Sequence, residues 1–361
     1  MSAGLNADAA GLLQGAARGD RSAFDRLTEP HRRELQLHCY RMLGSFHDAE
    51  DVVQETLLRA WRGIAEYEAR GSFRGWLYRI ATNACLNALA DRRRARRLLP
   101  EDAGPPTDHL PLPAMPPPAA ATDIAWLEPY PDAALEGIPD GTPGPEARYE
   151  MRETVQLAFV AAIQYLPARQ RAVLLLRDVL GWSAAETARL LDASVASVNS
   201  ALQRARGALE TRLPRDLASA TAPPTERQRA LLDRYVRAWE TADVDGFVAL
   251  LREDATISMP PWPQWFRGRE AVARFFVFAC RPEGHGPFRL LPTAANRQPA
   301  FAIYGRGRQP RWTLHSVQLI TVRDEAIAVL TNFVGQRVHE IFDLPAVLPD
   351  HDGGAAGIGQ P

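Results

Sequence analysis

The stretch SAAETARLLDASVASVNSALQRARGAL, residues 183–209, has the layout of a helix-turn-helix. Ser183 and Ser194 each stand directly before a helical run, where a hydroxyl can accept hydrogen bonds from free backbone N–H groups. The apolar residues of the second run recur at i, i+4, i+7 and i+11, and they are Val198, Leu202, Ala205 and Leu209. This spacing predicts a buried stripe along the second helix.

The opposite face of that helix is polar. It carries Ser197, Asn199, Ser200, Gln203, Arg204 and Arg206. Such side chains suit contacts with base edges and phosphates, which predicts DNA binding. The alternative for the stretch taken alone is an ordinary helical hairpin with a solvated outer face, although DNA binding is the favoured interpretation.

Residues 8–97 read as one helix after another. Within them, DAEDVVQETLLRAW (residues 48–61) crowds acidic side chains beside an apolar stripe. A later helix bears aromatic residues and ends in DRRRARR (residues 91–97), with five arginines against one aspartate. Aromatic rings beside arginine suit unpaired bases, although a solvated basic helix end accounts for the same residues.

Residues 98–145 differ in composition from both neighbours. They hold thirteen of the 29 prolines, eight acidic residues and no arginine. Proline at this density disfavours helix and sheet, so we expect an extended, acidic linker. Residues 146–213 are helical again, and residues 214–225 form a second, short linker.

Residues 226–345 change character once more. Helical stretches there are followed by runs rich in β-branched residues, such as WTLHSVQLITV and AIAVLTNFV. This order predicts an α+β domain, with residues 346–361 as a flexible tail. The predicted fold class is therefore multidomain, with two all-α domains and a C-terminal α+β domain.

Together these segments resemble a sigma-70 family factor of the extracytoplasmic-function (ECF) type. The resemblance rests on motifs in the expected order: RMLGSFHDAEDVVQETLLRAW, FRGWLYRIATNACLNAL, LPARQRAVLLLRDVLGWSAAETARLL and VNSALQRARGAL. It implies that residues 1–97 are sigma region 2, that residues 146–213 are region 4, and that the function is promoter-specific transcription initiation with core RNA polymerase.

The resemblance also implies site residues. Contacts with the clamp helices of the largest polymerase subunit would come from Asp48, Asp51, Val52, Gln54 and Glu55. Contacts that open the minus-ten promoter element would come from Phe73, Trp76, Asn83, Asn87, Arg92, Arg93 and Arg94. The polar face of the second helix, listed above, would read the minus-thirty-five element.

The sequence departs from the family pattern in two places. Asp192 stands where the turn commonly has glycine, and aspartate tolerates left-handed backbone moderately well. Asn199 and Ala201 stand where many relatives have cations, which removes phosphate contacts. In the linker, WLEPYPD (residues 126–132) resembles a stretch of relatives with an extra C-terminal domain. The acidic linker is either a nucleic-acid mimic in polymerase channels or a plain spacer.

Residues 226–345 resemble the SnoaL-like fold, a cone of helices on a curved sheet. A pocket in such a cone would be lined by Trp239, Trp262, Trp265, Phe276, His315 and Asn332. The main interpretation is a domain that regulates the factor in cis, without catalytic residues. The alternatives are a DNA-tethered SnoaL-like enzyme and a transcription factor that senses a small ligand.

Composition excludes several classes of protein. Cys39, Cys85 and Cys280 are far apart and the eight histidines do not cluster, so we expect no metal, cofactor or disulfide framework. No apolar run approaches the roughly 18 residues that span a membrane, and no signal peptide is recognisable. We therefore expect a cytoplasmic protein.

Overall fold

The structure is a computed structural model. It describes residues 2–67, 72–90, 96–107, 124–136, 138, 155–213, 225–281, 286–306 and 311–349, with side chains from residue 9 onward except at 336 and 337. The chain forms two compact units. Unit 1 comprises Met1–Ala103, Thr122–Ala222 and Ala294–Gln298, and unit 2 comprises Gly104–Ala121, Pro223–Thr293 and Pro299–Pro361.

Unit 1 begins with four helices: α1 (Ser2–Ala17), α2 (Arg21–Leu43), α3 (Phe46–Gly63) and α4 (Phe73–Ala90). Gly44 ends α2 by taking the left-handed conformation (φ 70°) and donating its N–H to the Tyr40 carbonyl. Ser45 then caps α3 by accepting from the N–H of Asp48 at 3.1 Å. Helices α2, α3 and α4 pack together around Leu35, Met42 and Leu77, which are fully buried.

The second part of unit 1 holds five helices in the residues described: α5 (Pro100–Ala103), α6 (Leu157–Ile163), α7 (Ala168–Leu174), α8 (Ala184–Leu190) and α9 (Val195–Glu210). A π-helical turn, Leu175–Val179, continues α7. Both predicted caps are confirmed: Ser183 forms a capping box with Glu186, and the Ser194 side chain accepts from the N–H of Ser197.

The expectation that the proline-rich linker lacks helix is wrong in two places. Pro100 opens α5, where its missing N–H costs nothing because a first-turn donor has no helical partner. Asp132–Leu135 forms one turn of 3₁₀ helix. Leu127 and Tyr130 between them are 1% and 0% exposed, so this part of the linker is packed and not solvated.

Unit 2 contains the α+β arrangement that the sequence predicts. Its helices are α10 (Glu226–Thr241), α11 (Val244–Val248), α12 (Arg269–Ala279) and α13 (Gln336–Phe342). Its strands are β1 (Leu251–Ser258), β2 (Trp265–Arg267), β3 (Phe288–Ala295), β4 (Gln298–Gly305), β5 (Trp312–Arg323), β6 (Ala326–Val334) and β7 (Val347–Leu348).

The seven strands form one mixed sheet in the order β2-β1-β6-β5-β4-β3, with β7 beside the start of β5. β1 runs parallel to β6 and antiparallel to β2, and β5 is antiparallel to β4, β6 and β7. The core is aromatic. Phe247 stacks on Phe276 at 4.1 Å between ring centroids, and Trp239 meets Phe276 edge-on at 4.8 Å.

Candidate functional site

The polar face of α9 is exposed to solvent in unit 1. The stripe of Val198, Leu202, Ala205 and Leu209 is buried as predicted, and the six polar residues predicted to contact DNA are all exposed. Arg206 is held in place by a bidentate pair with Asp178 at 2.8 and 2.9 Å. Arg204 donates to the Ser200 hydroxyl at 2.7 Å. Asp192 adopts the left-handed turn conformation (φ 49°) that its position requires.

The acidic helix α3 shows one exposed face. Asp51, Gln54 and Glu55 all lie on it, as the sequence predicts for a docking surface. Leu58, which the sequence analysis missed, lies on the same face with 47% of its surface exposed. Leu58 thereby adds apolar surface to a face that is otherwise polar.

Two of the proposed docking residues lie elsewhere. Val52 is 1% exposed and packs in the core, so it is not on the docking surface of this structure. Its place follows from helix geometry, because it shares the buried stripe with Ala49 and Thr56. Asp48 is half-buried and pairs with Arg97 at 2.6 Å.

The start of α4 carries a half-buried aromatic platform. The rings of Tyr67, Phe73 and Trp76 lie with centroids 4.9 to 5.8 Å apart. Further along α4, Asn83 and Asn87 are exposed on one face. The predicted contacts Arg92, Arg93 and Arg94 lie outside the described residues.

Helix α7 is bonded to the end of α2 within unit 1. The buried guanidinium of Arg171 donates to the Met42 carbonyl and, at 2.7 Å, to the side-chain oxygen of Gln164. Gln164 in turn donates to the Arg41 carbonyl at 3.2 Å. These donors satisfy carbonyl groups that a helix end leaves free, and burial lowers the pKa of Arg171 to about 10.

The bonds between α7 and the end of α2 define an arrangement of unit 1 that is called closed below. In this closed arrangement, α7 also lies beside the polar face of α4. Asn83 and Asn87 border a cavity of about 510 Å³ whose other side is formed by Ala168 and Arg169. Part of the segment 146–213 therefore lies beside the surface that the sequence assigns to the minus-ten element.

The packed linker segment adds a carboxylate at the start of α3. The side chain of Glu128 accepts from the Ser45 hydroxyl at 2.7 Å and from the His47 ring at 3.1 Å. It also accepts from the backbone N–H of His47 at 3.3 Å. An anion at a helix N-terminus is favourable, because free N–H groups and the helix dipole meet there.

Asn296, at the turn of residues 294–298, is the point where three parts of unit 1 meet. Its side-chain amide donates to the Tyr40 hydroxyl at 2.9 Å and to the Val155 carbonyl at 2.8 Å. Its side-chain oxygen accepts from the N–H of Tyr130 at 2.9 Å. The residue is fully buried and adopts φ 54°, a conformation that asparagine tolerates.

Comparison with known proteins follows the same division of the chain. Residues 27–95 match the model of sigma-70 region 2, residues 156–209 match sigma-70 region 4, and residues 232–330 match SnoaL-like domains. The ECF RNA polymerase sigma factor SigG of Mycobacterium tuberculosis is 46% identical over 289 residues, which cover 80% of this chain and 74% of SigG. The chain belongs to the ECF RNA polymerase sigma factors. It is thus a subunit that directs promoter-specific transcription initiation.

Other ECF sigma factors are less similar to this chain in sequence. SigW of Bacillus subtilis is 29% identical over 201 residues, covering 55% of this chain and 93% of SigW. The crystal structure of the M. tuberculosis ECF sigma factor SigJ has the same fold, with a TM-score of 0.56 and 21% identity. The match covers 87% of this chain and 97% of the SigJ chain. Among the described residues of this sigma factor, no helix is long and apolar enough to cross a membrane.

The SnoaL-like part of this sigma factor places the predicted pocket residues in several environments. Trp239, Trp262 and Phe276 belong to one packed aromatic core. The Trp265 indole donates to the Gly104 carbonyl at 2.8 Å. His315 is half-buried at a bulge in β5, and Asn332 is buried opposite Gln318 on β5. Trp239 borders a cavity of about 310 Å³ that none of the other five residues borders.

Sequence reasoning missed three residues that the geometry makes prominent in this sigma factor: Leu58, Glu128 and Asn296. Leu58 follows Glu55 by three positions, so the exposed stripe could have been extended to it. The bonds of Glu128 and Asn296 join segments more than 80 residues apart, which no local pattern records.

Proposed function

We propose that the exposed face of α3 docks this sigma factor on the clamp helices of the largest subunit of core RNA polymerase. Asp51, Gln54 and Glu55 supply polar contacts, and Leu58 supplies apolar area at the centre. The proposal is supported by the exposure of all four side chains on one helix face. A leucine in the middle of a polar rim has the composition of an interface centre.

In the same proposal, the two DNA surfaces have separate tasks. The aromatic platform of α4, with Asn83 and Asn87, engages the opened minus-ten strand by stacking and hydrogen bonding. Arg204 and Gln203 on α9 contact bases in the minus-thirty-five element, and Arg206 contacts the backbone from its position beside Asp178.

The SnoaL-like domain regulates the factor in cis by holding unit 1 closed. The observation that carries this proposal is the Asn296 network, because one buried side chain bonds to α2, to the linker and to the residues before α6. If Asn296 withdrew, the N–H of Tyr130 and the carbonyl of Val155 would lose these partners, at a cost of about 1–3 kcal/mol per buried polar group.

The closed arrangement is the inactive one. In it, Ala168 and Arg169 stand opposite Asn83 and Asn87, where the minus-ten strand has to bind. A free energy of about 5.5 kcal/mol moves a two-state equilibrium from 99:1 to 1:99. The free energy lost with the Asn296 bonds is of the same order, so their loss shifts the factor towards an open state.

Run-off transcription with purified core polymerase tests this proposal. Asn296→Gly removes the bonding side chain and keeps the positive φ, while Arg297→Gly is the matched control. Arg297 is the next residue, has φ 58° and is exposed, and its backbone N–H donates to Asp132. We expect several-fold more promoter-specific transcript with Asn296→Gly and no change with Arg297→Gly. Equal transcript from wild type and Asn296→Gly would contradict regulation through this residue.

A further inference from the structure

A second cavity of unit 1, with a volume of about 740 Å³, opens between the start of α4 and α8. The volume lies within the range of about 300–1,000 Å³ typical of small-molecule sites. Trp76 and Arg79 belong to the α4 wall, and Trp182 and Arg189 belong to the opposite wall. The site is therefore complete only while unit 1 is closed.

Both walls present indole rings. Trp76 lies 4.9 Å from Tyr67 between ring centroids, and Trp182 meets Tyr78 edge-on at 5.5 Å. Trp182 lies against α4 near position 75, where a Cβ added to Gly75 would be 3.9 Å from the Trp182 ring, an ordinary contact distance. Half-buried rings on two sides of a cleft suit a planar aromatic ligand.

The cleft also contains arginines that form no salt bridge among the described residues, although Arg189 interacts electrostatically with Glu186. Arg74 is engaged by Glu34 at 2.7 Å, whereas Arg79 and Arg189 are exposed and form no such pair in the part of the chain described. Arg189 makes one long bond, 3.4 Å from Nε to the Ala185 carbonyl, which leaves its terminal nitrogens available. Guanidinium groups in this condition are well suited to phosphate.

The two carboxylates at the cleft have different tasks. Glu186 is committed to the capping box, with bonds of 2.6 and 2.8 Å from Ser183 that lower its pKa. Glu66 is exposed and borders the cleft. A free carboxylate beside a nucleotide site can accept hydrogen bonds from ribose hydroxyl groups, as in dinucleotide-binding folds.

We infer that this cavity binds a free ribonucleotide. The base lies between Trp76 and Trp182, the phosphates lie against Arg79 and Arg189, and the ribose faces Glu66. Because both walls are needed, the nucleotide binds the closed state and shifts the population towards it. Nucleotide binding itself does not depend on the proposed cis regulation. The expected consequence of binding, lower transcription at high nucleotide concentration, does rest on that proposed function.

The test is a titration of the full-length protein with ATP, GTP and dATP, followed by tryptophan fluorescence and calorimetry, without polymerase. We expect saturable binding of ATP or GTP with a Kd of about 1 mM or lower. Trp182→Ala and Arg189→Ala should each weaken binding by about tenfold or more, while Trp182→Phe retains most of it. Arg204→Ala, an exposed arginine outside the cleft, is the matched control. The preference of ATP over dATP should disappear in Glu66→Gln.

Three results would overturn the inference. The first is no saturable binding of ATP or GTP by a wild-type protein with an intact thermal transition. The second is binding that is unchanged in Trp182→Ala and Arg189→Ala. These two variants are compared only if their thermal transitions match that of the wild type. The third is binding confined to a single-stranded DNA oligonucleotide. None of these depends on transcription, so they do not bear on the role of Asn296.

Discussion

Asn296 donates a 2.9 Å hydrogen bond to the hydroxyl of Tyr40, 256 residues earlier in the chain, and both side chains are completely buried. The Tyr40 hydroxyl in turn donates a hydrogen bond to the Glu128 carbonyl, also at 2.9 Å. The pair thus joins α2, the packed linker segment and the turn at 294–298. Burial raises the pKa of Tyr40, so the hydroxyl remains a donor at any physiological pH.

The first prediction concerns this pair. Tyr40→Phe keeps the ring and removes the hydroxyl, so the Glu128 carbonyl loses a donor and Asn296 loses an acceptor. We expect the free energy of unfolding to fall by about 1–3 kcal/mol. Denaturant unfolding of Tyr40→Phe, Asn296→Gly and the double variant measures it. Strictly additive losses would show that the two side chains are not coupled.

The second prediction concerns docking. Reversing charge in Asp51→Arg with Glu55→Arg should abolish co-purification with core polymerase, and Leu58→Ala should weaken it by about 1 kcal/mol or more. All three side chains are exposed, so the helical circular dichroism should not change. Asp25→Arg, the same charge reversal at an exposed position of α2, is the control. Wild-type affinity of the double variant would remove α3 from the interface.

The third prediction separates two arginines of α9. Arg204→Ala should weaken binding of the cognate promoter by about 1–3 kcal/mol and relax specificity, if the residue reaches bases. Arg206→Ala should instead weaken binding evenly across sequences and reduce the salt dependence by about one ion. Binding isotherms at several salt concentrations distinguish these outcomes. Unchanged promoter binding in both variants would exclude this face of α9.

The fold was more predictable from sequence than the site. Helical periodicity and serine caps located α8 and α9 because these signals are local. The exposed face of α3 followed from the same periodicity, but Val52 was assigned to that face wrongly, since its resemblance to a family contact outweighed its place on the buried stripe. The packing of Tyr130 and Asn296 depends on partners distant in sequence, and proline content alone suggested that the linker was solvated.

The fourth prediction concerns pH. Burial, reinforced by Arg41 and Arg74, lowers the pKa of His38 from 6.5 to about 3. Between those values the unfolded chain binds a proton that the native protein does not, so stability is lost as the pH falls below about 6.5. The loss from this residue is about 2 kcal/mol between pH 7.5 and pH 5. His38→Gln should lack this component, which urea unfolding at both pH values measures. An equal pH dependence in wild type and variant would contradict the assignment.

The central claim is that Asn296 keeps the two DNA-binding parts of unit 1 closed, and a distance measurement tests it most directly. Spin labels at Asp25→Cys on α2 and Glu210→Cys on α9, both exposed and outside the proposed docking face, report their separation by pulsed electron resonance in a Cys280→Ser background. The account predicts one short distance for wild type and for Arg297→Gly, and an added longer population for Asn296→Gly and for wild type bound to core polymerase. Identical distance distributions for wild type and Asn296→Gly would contradict it.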